Sequence, residues 1–87
     1  MAQNDKKRIT VDIYNKAYTI VGTEPESQVQ LVASLVDQKM REISSTNKQL
    51  DTTRLAVLTA VNTMNDYIKL QNEHSALLRS LKKKEDH

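Results

Sequence analysis

The segment from Asp51 to the end of the chain contains neither glycine nor proline, and no other feature restricts the fold as strongly. Apolar residues recur through it at three- and four-residue steps, and Asp51 stands where an N-cap is expected. The spacing predicts one helix over 51–83, roughly 48 Å long at 1.5 Å per residue. Two adjacent heptad seams run along it. One holds Val57, Val61, Met64, Ile68, Gln71, Ser75 and Leu78, and is apolar early and polar later. The other holds Ala60, Thr63, Tyr67, Leu70, His74, Leu77 and Leu81, and is stronger late. A two-stranded coil needs a single narrow stripe, whereas two adjoining seams make the broader face of a bundle. Burying each Val, Leu or Ile is worth roughly 1.5–3 kcal/mol, a large fraction of what a small domain has in total. The helix therefore predicts an obligate oligomer, built on Val57, Val61, Met64, Tyr67, Ile68, Leu70, His74, Leu77, Leu78 and Leu81.

The rest of the chain is short. Its 87 residues make one domain near the lower limit for independent folding. Residues 1–7 read as a disordered arm and 84–87 as a charged tail. In RITVDIY, Ile9, Val11 and Ile13 alternate with Thr10, Asp12 and Tyr14, the mark of a half-buried strand. Asn15-Lys16 then leads into AYTIV, and a hairpin over 8–21 is expected, its turn opened by the asparagine. After Gly22, Thr23 is placed as an N-cap with Glu26 as its capping-box partner and Pro25 in the first turn. Val29, Val32, Ala33, Val36, Met40 and Ile43 give a helix over about 24–44 that covers the hairpin, ended by the polar run SSTNK. The fold class is α+β: a head at 8–48 made of hairpin and helix, then the long coiled-coil helix.

Chemistry finds little support. There is no cysteine, and the histidines are His74, on a seam between Leu70 and Leu77, and His87, the last residue. Neither lies in a metal-ligand pattern, and one glycine cannot make a phosphate cradle. No catalytic residue, cofactor or metal is implied. MAQNDKKR lacks the apolar core of a secretory signal, and no run approaches the about 20 apolar residues that span a bilayer. A cytoplasmic protein is expected. Asp66, Glu73, Glu85 and Asp86 interrupt the basic face of the last helix, which argues against a membrane surface. The net charge of +2 is too small to argue for nucleic acid. A strand followed by two helices does match the ribbon–helix–helix DNA-binding dimers, and that is the alternative reading. Against it, the first strand has its own hairpin partner, Asp12 faces outward, and the final helix is too long.

Three stretches carry a family resemblance: I-T-V-D-I-Y-N-K-A-Y-T-I, S-L-V-D-Q-K-M-R-E-I and L-D-T-T-R-L-A-V-L-T-A-V-N. Their order and spacing, with V-D-x-x-M-x-E-I (36–43) followed by L-D-x-x-R-x-A-V-L-x-A-x-N (50–62), resemble the ZapA family of cell-division proteins over about residues 8–68, in its short form. The resemblance implies a non-enzymatic factor at the mid-cell Z-ring that binds filaments of the tubulin-like GTPase FtsZ and crosslinks or bundles them. It implies homodimers that can form tetramers through the tail helices. Basic residues at the hairpin turn and between the helices are linked to FtsZ contact in the family. Lys16 and Lys48 are the matching positions, and Lys39, Arg41 and Arg54 are their basic neighbours. Related sequences usually carry glycine where Asn15 stands, and asparagine can enter the same left-handed region.

Overall fold

The computed structural model describes residues 6–85. Four elements follow in order: β1 (Lys7–Ile13), β2 (Lys16–Gly22), α1 (Glu26–Thr46) and α2 (Thr52–Glu85). Most of the arm expected at 1–7 lies outside the described residues, and Lys7 already belongs to β1. Of the expected tail, Lys84 and Glu85 continue α2, while 86 and 87 lie outside the description.

The strands pair antiparallel, with Ile9 opposite Ile20, Val11 opposite Tyr18 and Ile13 opposite Lys16. This register moves the turn by one residue from the sequence expectation. Its two central residues are Tyr14 and Asn15, at φ of 49° and 69°, and Lys16 is the first residue of β2. The observed register sets Ile9 against Ile20 and Val11 against Tyr18, keeping two apolar cross-strand pairs on the inner face. It also gives the bulky turn residue partners on α1, described below.

Helix α1 starts later than the capping-box reading placed it. Pro25 is the cap residue, its carbonyl accepting the N–H groups of Gln28 (3.0 Å) and Val29 (3.1 Å), and no side chain caps this end. The cause is local, because a residue preceding proline is disfavoured in helical geometry, so Glu24 cannot open the helix. The other end runs on to Thr46. Ser45 and Thr46 hydroxyls donate to the carbonyls of Glu42 (2.7 Å) and Ile43 (3.1 Å), and Asn47 N–H donates to Ile43 and Ser44. The polar run expected to break the helix instead satisfies its last carbonyls.

Ile9, Val11, Val29 and Ala33 form the buried core between hairpin and α1, with Ile13 and Ile20 packed at its edge. Val32, expected on the hairpin-facing stripe, is half exposed. α1 packs on β1 with one side and on α2 with another, and Met40 and Leu55 are buried. The cap expected at Asp51 is present, its carboxylate accepting Arg54 N–H at 2.8 Å. Thr59 is also buried, and its hydroxyl donates to Leu55 O at 2.8 Å, so the polar group carries no unpaired cost. The head-facing stripe of α2 is thus Leu55, Thr59 and Asp66, narrow and increasingly polar.

Candidate functional site

The hairpin tip is built from a conformation that side chains resist. Two consecutive positive φ values suit a two-residue primed turn, which usually takes Asn-Gly, and a tyrosine there costs on the order of 1–3 kcal/mol. Contacts from α1 hold it. Tyr14 N–H donates to Asp37 Oδ1 at 2.7 Å, and Asp37 Oδ2 accepts from Arg41 Nε at 2.9 Å. Arg41 Nη2 donates onward to Asn15 Oδ1 at 3.0 Å. The same guanidinium lies 5.4 Å from the centroid of the Tyr14 ring, and the Tyr14 hydroxyl is 3.0 Å from Ser44 Oγ. The Arg41 guanidinium and the Tyr14 N–H hold the Asp37 carboxyl below the usual carboxylate range, and Asp37 keeps Arg41 protonated in turn. Sequence reading missed Asp37 and Ser44. The i,i+4 spacing of Asp37 and Arg41 signals their ion pair, but nothing local signals its contact with the turn.

The five basic residues singled out from the sequence fall into two groups. Arg41 is engaged in that network, and Lys39 Nζ lies 2.8 Å from Asp66 Oδ2, pairing α1 with α2. Asp66 raises the Lys39 pKa, and Lys39 lowers that of Asp66. Lys16, Lys48 and Arg54 are exposed, with no ion pair among the described residues. Lys16 follows the clamped turn, Lys48 lies in the loop between the helices, and Arg54 is in the first turn of α2. The Tyr14–Ser44 contact sets the tip beside the end of α1 that leads to Lys48, so tip and loop share one end of the head.

The second feature is the outer face of α2. Every described side chain from Ala60 to Lys83 is exposed, among them Val61, Met64, Tyr67, Ile68, Leu70, His74, Leu77, Leu78 and Leu81, and Val57 is exposed one turn earlier. The chain exposes 7232 Å², against about 5200 Å² expected for a compact monomer of 9.9 kDa. Both seams read from the sequence lie on this uncovered surface. Leu31, Val32 and Leu35 add an exposed apolar strip on α1 that sequence reading assigned to the hairpin side or its flank. Among the described residues no group of three His, Cys, Asp or Glu side chains could hold a metal ion, and no helix is long and apolar enough to cross a membrane.

The sequence profile described as "Cell division protein ZapA" matches residues 9–87. The chain belongs to the ZapA family. A ZapA of Oceanobacillus iheyensis is 67% identical over 86 residues, covering 99% of this chain and 100% of the relative. One from Geobacillus sp. strain WCH70 is 58% identical, covering 99% of each. A solved ZapA mutant dimer from Geobacillus stearothermophilus matches the fold with a TM-score of 0.72 at 45% identity, over 94% of this chain and 95% of that one. ZapA proteins are cytoplasmic division-site factors that bind FtsZ, self-associate and carry no catalytic activity, and this chain is one of them. The DNA-binding alternative is overturned by the same findings, and β1 pairs with β2 of its own chain rather than with a second ribbon.

Proposed function

We propose that the chain crosslinks FtsZ filaments at the mid-cell Z-ring by coupling weakly binding heads through a tetramer of α2 helices. The observation that carries this reading is the uncovered apolar face of α2, which extends from the head over a helix of 34 residues, about 51 Å long. A dimer made over the first part of that face leaves Leu77, Leu78 and Leu81 for a second pair of chains. Filament contact is assigned to Lys16, Lys48 and Arg54, the exposed bases at one end of the head. Lys39 and Arg41 are assigned to holding the head together, since both are already paired. Linking heads converts each further binding event into an intramolecular one, which raises avidity without a stronger single contact.

The test is sedimentation with polymerised FtsZ. The chain is expected in the pellet at high speed, and it should bring filaments down at low speed as bundles. Lys16→Glu and Lys48→Glu proteins of unchanged mass should lose both effects. A chain that stays in the supernatant with filaments defeats the proposal.

A further inference from the structure

The most elaborate side-chain network of the head surrounds its most strained backbone. Tyr14 and Asn15 occupy left-handed geometry without glycine, and five side chains from two elements converge there: Tyr14, Asn15, Asp37, Arg41 and Ser44. The hairpin already pairs through seven residues of each strand, and the apolar core of Ile9, Val11, Val29 and Ala33 joins it to α1 without either turn residue. A looser turn would close the same strands. Strain kept by dedicated contacts in a sparsely populated conformation is a mark of preorganisation for binding. The residue that follows is Lys16, exposed and without an ion pair.

We infer that Asp37 and Arg41 are positioning residues that lock the Tyr14–Asn15 turn in one conformation, so that Lys16 is presented as a preformed cation to an acidic surface of the filament. This rests on the assignment of Lys16 to filament contact. Neither Asp37 nor Arg41 touches the partner. Asp37 acts through the Tyr14 amide, and Arg41 through the Asn15 side chain and the Tyr14 ring. The affinity of the head then scales with the fraction of molecules whose turn is formed.

The experiment compares full-length proteins by sedimentation with FtsZ filaments, with amide exchange of Tyr14 measured by NMR on the free oligomer. Asp37→Ala should abolish the protection of the Tyr14 amide. It should weaken filament binding roughly fivefold, the loss expected when the competent turn falls to about a fifth of the population. Oligomer mass and helicity should not change. Rescue supplies the discriminating arm. Tyr14→Asn with Asn15→Gly writes an Asn-Gly turn that holds the primed geometry unaided. In that background Asp37→Ala should bind filaments as well as the same background with Asp37 intact. Unchanged binding by Asp37→Ala despite a deprotected amide would reduce the clamp to a structural contact and overturn the inference. So would a binding loss that the Asn-Gly turn fails to restore, since Asp37 would then be touching the partner. Lys16→Glu is the separate control: if it binds normally, the assignment beneath the inference fails, whatever the amide shows.

Discussion

Replacing Ile68 with glutamate puts the oligomer to a quantitative test. Ile68 lies on the first seam, and 51% of it is exposed in the single chain. Full burial of an isoleucine is worth roughly 1.5–3 kcal/mol, so about half of that remains to be gained when a second chain covers it. In an isologous dimer the position counts twice, giving roughly 1.5–3 kcal/mol for the pair. Ile68→Glu forfeits this and strands two carboxylates in the interface, each desolvated at a cost of several kcal/mol before relaxation. A total of at least about 4 kcal/mol weakens association on the order of a thousandfold. Ile68→Ala loses only the apolar part and should weaken it about ten- to a hundredfold. Asn72→Glu, an exposed position on neither seam, should leave association unchanged. Light scattering or sedimentation equilibrium over a concentration series reads the mass, and far-ultraviolet circular dichroism reads the helix. The glutamate variant should dissociate, or unfold where the small head cannot stand alone. A folded species of wild-type mass would show that Ile68 faces no partner and that the seam is misassigned.

Other perturbations follow from the head. Lys48→Glu should reduce co-sedimentation with FtsZ while mass and helicity stay as in the wild type. Leu55 is 2% exposed in the first turn of α2, and Leu55→Ala should cost about 2–5 kcal/mol, read as a lower midpoint of thermal or urea unfolding. The carboxyls of Asp37 and Asp66 are depressed in the folded chain, so their contribution is present above the ordinary carboxylate pKa and is lost as pH falls through the depressed values. The melting temperature should drop on acidification below that range, and the double variant Asp37→Asn/Asp66→Asn should show a shallower drop. Asp66 is exposed and Asp37 only partly covered, so the effect is small and should shrink with added salt.

The fold was legible in the sequence wherever the signal was periodic. Alternation at Ile9, Val11 and Ile13 placed the first strand, and the unbroken apolar spacing after Asp51 placed α2 and its exposed width. Punctuation was less reliable. Asn15 marked the turn but not its register, because the choice between Tyr14–Asn15 and Asn15–Lys16 is decided by Asp37, Arg41 and Ser44 on a distant helix. Thr23 and Glu26 have capping-box spacing, yet Pro25 between them governs where helical geometry can begin. The candidate site divided for the same reason. A lysine bound to a carboxylate from another element reads, in sequence, like a lysine free for a partner. Lys39 and Lys16 are chemically alike, and only the position of Asp66 separates them. The fold also accounts for three residues of the V-D-x-x-M-x-E-I stretch: Asp37 holds the turn, Met40 is buried, and Ile43 offers its carbonyl to Asn47.

Bundling by an uncoupled head asks whether oligomerisation is the working part of the protein. Polymerised FtsZ would be imaged by electron microscopy with the wild-type chain and, at matched head occupancy, with Ile68→Glu protein verified as folded and dissociated. Laterally associated filaments with the wild type and separate, decorated filaments with the variant are the expected images. Bundles of equal width and number with both proteins would mean that a single head brings filaments together and that the long helix serves some other end.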